Sequence, residues 1–255
     1  MSTEAPFISM EQVSYAYAGS AAVVRSIDWT VPTGEFHSLI GRSGCGKTTL
    51  LKLAAGLLHP SSGVVRLQGD VVDAPSRHVG FVFQTPSLLE WLTVLDNVLL
   101  PVSLRGGVTP DDRNLAMELL ELVGIGAHAD RYPQHLSGGQ QSRAALARAL
   151  VTSPPALLMD EPFAALDAIT REELQDDLLR LTKLHNSTVL FITHDIAEAV
   201  YLSDRVAVME HGSMSYTTAI DLAGRRDGET RYAPSFSATC RQIRSAMSTP
   251  LPETA

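Results

Sequence analysis

Cysteine is scarce in this sequence: Cys45 and Cys240 are the only two in 255 residues. One pair cannot build the framework of a disulfide-stapled domain, and no metal-ligand spacing accompanies it, so a reducing compartment is expected. Long apolar runs are missing too. The most apolar region, 79–104, is broken by Pro86, Glu90, Asp96 and Pro101 and cannot cross a bilayer by itself. No basic segment followed by an apolar stretch opens the chain, so no secretory leader is expected. Positive charge is in deficit, 20 Lys and Arg against 28 Asp and Glu, and the net charge of -8 argues against nucleic acid as a principal partner. What is present is an ordinary folding composition, 45% apolar, at a length that suits one large α/β unit or two modest ones. A soluble chain is expected, and any membrane role must come through partners.

Strand patterns occupy "FISMEQVSYAY", "AVVRSIDWTV", "EFHSLIG" and "GVVRLQGDVV", with turn residues between them. A helix is read from Pro110 to Val123, with Thr109 as its N-cap, Pro110 in the first position and Gly124 at its end. In the second half, strands at 156–160, 188–193 and 205–209 alternate with helical patterns, which implies a mostly parallel sheet. Past Gly212 the periodicity fades, and Arg225, Arg226, Arg231, Arg241 and Arg244 read as a solvated basic tail.

Between the strand "EFHSLIG" and the helical "KTTLLKLAAGLL" lies "GRSGCGKTT", which fits G-x-x-x-x-G-K-[ST] in its required strand-to-helix setting. Gly41, Gly44 and Gly46 let successive backbone N–H groups wrap phosphate oxygens, and the new helix turns its positive end toward them. Lys47 supplies a point charge to the outer phosphates, and the Thr48 hydroxyl can ligate Mg²⁺. A nucleoside triphosphate site follows. Such a site needs a carboxylate at a neighbouring strand end, and "ALLMDEP" provides Asp160 to hold Mg²⁺ through water and Glu161 to polarise the attacking water. From Gly41 to Asp160 is 119 residues, too many for a direct crossover, so a substantial insertion separates the two. That insertion contains a second serine-and-glycine turn, "LSGGQ", where Ser137 is a good N-cap for "QQSRAALARAL".

Together these residues resemble the nucleotide-binding subunit of an ATP-binding cassette (ABC) transporter over about residues 8 to 212, with every signature element in the family's order. The resemblance implies an α/β P-loop NTPase (RecA-like) core with a mostly parallel sheet, an N-terminal antiparallel β-subdomain and an inserted α-helical subdomain. An ABC ATPase domain would span 1–212, with core segments at about 5–86 and 152–212 and the helical subdomain at about 87–151. A tail, partly helical or irregular, would fill 213–255. Gly41, Ser43, Gly44, Cys45, Gly46, Lys47, Thr48 and Thr49 would form the Walker A loop, and Tyr17, preferred over Tyr15, would stack on adenine. Gln84 in "VGFVFQ" would be the glutamine loop that senses Mg²⁺ and the membrane partner. Asp160 and Glu161 would belong to Walker B, Asp167 to the D-loop, and His194 would be the switch histidine. Thr48, Gln84 and Asp160 would serve the metal, and Lys47, Gln84, Glu161 and His194 the chemistry. Ser137, Gly138, Gly139 and Gln140 would complete the phosphate site of a second copy, or of a homologous subunit, set head to tail. ATP and Mg²⁺, integral permease subunits and, indirectly, a solute-binding protein are implied, at the cytoplasmic face of a membrane.

Residues 87–107 resemble the ATPases of nitrate, sulfonate and taurine importers, although Glu90 and Arg42 stand where prolines are usual and Ser142 where glutamine or lysine is. At 255 residues, the extra C-terminal β-domain of sugar-type importers is not expected. Two other readings stay open, a soluble ABC ATPase of repair or ribosomes and an unrelated P-loop kinase or GTPase. Because Lys47 carries the charge that meets the outer phosphates, Lys47→Ala should weaken nucleotide binding itself, measured by fluorescent-ATP titration; unaltered affinity would refute that role.

Overall fold

The computed structural model describes residues 5–222 and 226–248. The chain forms two compact units, one of residues 1–76 and 182–255 and one of residues 77–181.

The first unit opens with an antiparallel sheet of β1 (Ile8–Ala16), β2 (Ala22–Val31), β4 (Ser62–Leu67) and β5 (Asp70–Val71) in the order β2-β1-β4-β5. Ile8 pairs with Val31 on one side and Leu67 on the other. Alternation puts Val24, Ile27, Trp29 and Val31 inside. The register is interrupted where Gln12 and Ser26 adopt left-handed backbone, and polar side chains pin the bulge: Gln12 N–H donates to Asp28 Oδ1 (2.9 Å) and Ser26 Oγ to Gln12 Oε1 (2.6 Å).

The same unit holds β3 (Phe36–Ile40), β8 (Thr188–Ile192), β9 (Arg205–Glu210) and β10 (Ser213–Ala219), in the order β10-β9-β3-β8. β3 lies parallel to both β8 and β9, and β3 and β8 are buried at every position. Val189 to Ile192 of β8 form the apolar run that a strand covered on both faces requires, whereas β3 also buries His37 and Ser38. Helix α1 (Lys47–Ala54) follows β3, and α6 (Ile196–Leu202) follows β8, capped by the Asp195 carboxylate.

Past Gly212 the structure departs from the expected solvated tail. β10 returns antiparallel to β9 through His211-Gly212, both left-handed (φ 48° and 86°), as a two-residue primed hairpin turn demands. β10 exposes part of nearly every residue, so it carries little alternation for a sequence reading to find. Helix α7 (Pro234–Ser248) then packs on α6. Arg226 is a buried anchor, with Nη1 donating to the Tyr201 carbonyl (3.2 Å) and Nη2 3.6 Å from Asp204, and burial lowers its pKa. Arg231 lies 3.5 Å from the centre of the Tyr201 ring, a cation–π contact. Arg225 lies outside the described residues.

The second unit pairs β6 (Val79–Val82) and β7 (Ala156–Asp160) in parallel, Val82 opposite Met159. Between them in sequence come α2 (Val94–Ser103), α3 (Pro110–Leu122) and α4 (Gly138–Leu150), which pack on one another, and α5 (Ala168–Leu184) follows β7. The inserted helices are therefore present as expected. α3 starts as read, with Thr109 and Asp112 in a reciprocal capping box, Pro110 in the first turn and Gly124 left-handed beyond its end.

One buried polar residue shapes this unit without any sequence signal. Asn97, fully buried on α2, accepts the Leu89 N–H (2.7 Å) and donates to the carbonyls of Leu89 (3.0 Å), Leu92 (3.2 Å) and Thr93 (2.9 Å). It stands in for the secondary structure that residues 89–93 lack. Asn97→Ala strands these groups and should destabilise the chain by about 3 kcal/mol in chemical denaturation; a loss under about 1 kcal/mol would show that water satisfies the loop instead.

Candidate nucleotide site

In the first unit the site is built on the carboxyl ends of parallel strands. β3 ends at Ile40, and the chain turns through 41–46 into α1. Gly46, at φ 109°, faces the Val23 carbonyl so closely that a Cβ would lie 2.5 Å from it, whereas a Cβ on Gly44 would meet nothing within 4 Å. The loop is packed on its inner side and open at its crest. Lys47 is buried, and its Nζ donates to the carbonyls of Gly41 (2.8 Å) and Arg42 (3.0 Å), closing the loop around its own cation. Cys45 is half-buried with its Sγ 3.8 Å from Nζ.

The start of α1 differs from those of four other α-helices. α2, α3, α4 and α6 are capped by the side chains of Thr93, Thr109, Ser137 and Asp195, whereas Gly46 gives α1 no side-chain cap. Its first N–H groups and their share of the helix dipole are left for something else, and an anion completes them. This fit to a polyphosphate rests on the donors present: uncapped amides, an open crest, and an ammonium that two carbonyls only partly satisfy. Thr48 and Thr49 follow Lys47 in the first turn, and Ser43 is exposed on the crest.

Tyr17, 43% exposed, places its hydroxyl 3.2 Å from Thr49 Oγ1, and its ring meets Tyr15 edge to face at 5.0 Å. An accessible ring thus stands beside the first turn of α1. His194 is exposed two residues beyond the end of β8. Leu39 pairs with Ile192, so this end of β8 adjoins the end of β3 that leads into the loop. Behind the histidine, Thr193 Oγ1 donates to Glu198 Oε2 (2.6 Å) and Asp195 accepts Ala197 N–H (2.7 Å), fixing the chain on either side.

In the second unit Asp160 closes β7 and is buried, while Glu161 is half-buried and left-handed at φ 48°. That backbone costs a non-glycine residue roughly 1 kcal/mol or more, and it makes two consecutive carboxylates leave the strand end along different directions. Gln84, exposed, lies just past the end of β6, whose Val82 pairs with Met159, so it shares this strand edge with Asp160 and Glu161. Arg148 of α4 holds the chain after Gln84, donating to the carbonyls of Pro86 (2.8 Å) and Ser87 (2.9 Å).

The second glycine turn sits elsewhere in this unit. Ser137 caps α4: its hydroxyl accepts Gln140 N–H (3.3 Å), and Gln140 Oε1 accepts Ser137 N–H (2.9 Å). The Ser137 O–H proton remains free to donate. Gly139 backs onto Ala165 and Leu166, a Cβ there lying 3.1 Å from the Ala165 carbonyl, which brings the turn beside the segment leading to Asp167. Asp167 accepts Thr170 N–H (3.1 Å) at the start of α5, a bond that holds its carboxyl below the usual range. Gln84 belongs to the opposite end of α4, near Arg148, the helix being 13 residues and so about 20 Å long. Asn97, His128 and Arg148 are the polar supports that sequence reasoning missed. Each is a lone residue without a motif, and each bonds groups beyond its own turn, at Leu89 for Asn97, Gln140 for His128 and Pro86 and Ser87 for Arg148.

A family model described as ABC transporter matches residues 24–164. The chain belongs to the ABC transporter family. It is the ATP-binding and ATP-hydrolysing type of subunit, and no helix among the described residues is long and apolar enough to cross a membrane. The cassette is 45% identical over 232 residues to the aliphatic sulfonates import ATP-binding protein SsuB of Granulibacter bethesdensis, covering 91% of this chain and 92% of that one. It is 44% identical over 215 residues to the bicarbonate transport ATP-binding protein CmpD of Synechococcus elongatus, covering 81% and 76%. Among solved structures, the dimeric post-hydrolysis state of the ATP-binding cassette MJ0796 bound to ADP and Pi matches with a TM-score of 0.78 at 31% identity, covering 84% of this cassette and 99% of that chain. A second dimeric structure of MJ0796, a bacterial ABC transporter cassette, gives 0.79 at 32% identity, with the same coverage.

Proposed function

We propose that this cassette works as one of two ATPase subunits, set head to tail, that drive an importer of small anions of the sulfonate or bicarbonate kind at the cytoplasmic face of a membrane. The relatives' names support the cargo class, and the dimeric relatives support the pairing. The observation that carries the nucleotide chemistry is the uncapped start of α1 behind a loop closed on Lys47.

In this reading the amides of 43–49 and the Lys47 ammonium take the phosphates, and Tyr17 stacks its exposed ring on the base. Thr48, Gln84 and Asp160 would hold Mg²⁺, which when bound neutralises charge on the phosphate oxygens. Glu161 orients and deprotonates a water aimed at the terminal phosphoryl group, and His194 hydrogen-bonds the oxygens that gain charge. Ser137, Gly138, Gly139 and Gln140 of the second copy face the same phosphoryl group, with Asp167 beside them. Two chains then grip one group, and its removal loosens them.

The permease meets the segment after Gln84. Trp91 is 73% exposed, Leu88, Leu89 and Leu92 are half-buried around it, and Asn97 fixes the backbone beneath. An apolar socket held by a rigid loop suits a short cytoplasmic helix of a membrane subunit. The solute-binding protein acts on that permease, outside this chain's reach.

With the general base removed, Glu161→Gln should bind ATP, turn over at least ~100-fold more slowly, and accumulate as a dimer at saturating ATP and Mg²⁺ in sedimentation runs; a monomer under those conditions counts against the shared site. Trp91→Ala should lower permease co-purification and transport while sparing ATP affinity, and a complex that assembles and transports normally would sink the socket.

A further inference from the structure

Gln140 lies between two groups that together decide which way its amide faces. Its Oε1 accepts the Ser137 N–H at 2.9 Å, and a backbone N–H cannot exchange roles. Its Nε2 is therefore the atom turned toward His128, 3.0 Å from the ring's Nε2. An amide NH₂ only donates, so His128 Nε2 must be the unprotonated acceptor and the ring's proton must sit on Nδ1. That Nδ1 is buried and has no hydrogen-bond partner among the described residues. The ring is thus held in its polar environment through Gln140, at the cost of one unmatched donor, and such a buried exception asks for a reason.

The surroundings make the ring a fixed reference. His128 ends a short 3₁₀ turn, Gly126–His128, and the next residue's carbonyl accepts the Leu95 N–H of α2 (2.9 Å). The turn is tied to the helical layer, whereas Ser137 and Gly138 are exposed, and the side-chain bonds at their helix start are the capping box and the Ser142 hydroxyl donating to the Gly138 carbonyl (3.1 Å). Half of that box is the Gln140 side chain, and a half-buried glutamine without a second anchor would spend part of its time bonded to water.

We propose that His128 is a positioning residue for the signature turn: by accepting a hydrogen bond from Gln140 it locks the capping box that aims the Ser137 hydroxyl at the terminal phosphate held by a second copy. This rests on reading 136–140 as the turn that contacts that phosphate. The histidine touches no nucleotide; it acts through the amide, and any acceptor at the same reach can serve.

The test uses the full chain in the Glu161→Gln background, with dimerisation at saturating ATP and Mg²⁺ followed by sedimentation. His128→Leu should weaken the dimer about tenfold, the scale of losing a helix cap at each of two sites, with ATP affinity at Walker A unchanged. His128→Gln, whose Oε1 offers an acceptor, should return to within about threefold of the parent. Undiminished dimerisation by His128→Leu, or no rescue by His128→Gln, overturns the proposal. Ser137→Ala separates the two layers: if it too dimerises normally, the signature reading has failed, whereas a weakened Ser137→Ala beside a normal His128→Leu sinks only the role of His128. A readout independent of folding in the leucine variant is the tautomer. In ¹⁵N-labelled protein, the imidazole signal lost in His128→Gln should show the Nδ1-protonated form, and an Nε2-protonated ring excludes the assignment.

Discussion

A buried ammonium resting on the carbonyls of its own loop is the contact on which the rest of this cassette depends. Lys47 is almost inaccessible, and a cation taken out of water is costly unless its donors are met. The carbonyls of Gly41 and Arg42 meet part of the demand, and in doing so they close the loop around the ammonium. β3 delivers the loop to that place from between two parallel neighbours, and α1 begins behind it without a cap. Positive charge is concentrated where the backbone has nothing of its own to neutralise it. The negative charge of a triphosphate complements such an arrangement.

In the proposed pair the two glycine turns would answer the same ligand by opposite designs. At α1 the helix start is left open, and the loop has room above Gly44, so several amides can act together. At α4 the helix satisfies itself through Ser137 and Gln140, leaving chiefly one hydroxyl proton and the end of a dipole. An open start binds strongly and a capped start binds lightly. That asymmetry would suit the proposed pair, in which a subunit keeps its nucleotide while its partner comes and goes.

Much of the fold was legible because its signals are local. Strand β7 was read at its observed bounds, and β8 and β9 within one residue, because strands covered on both faces carry unbroken apolar runs. Thr109, Pro110 and Gly124 likewise mark α3 by interactions that span one helical turn. Past Gly212 a partly helical tail was expected and α7 is there, but strand β10 was missed for the converse reason. An edge strand half-buried along most of its length has little alternation, and a His-Gly turn is a weak hairpin signal beside Asn-Gly or Asp-Gly. The arginines there read as solvated charge, yet Arg226 is buried against Tyr201 and Asp204 and Arg231 covers an aromatic ring.

The sequence by itself determined the order of the motifs, the chemistry of each and the helix caps, since these depend on residue type over spans of a few positions. Tertiary structure decided which solitary polar residues would brace them. Arg148 reaches carbonyls 61 and 62 residues away, His128 an amide 12 residues away and Arg226 a carbonyl 25 residues away. Donors and acceptors separated by such distances leave no spacing to read, because only the folded chain brings them within reach of a hydrogen bond.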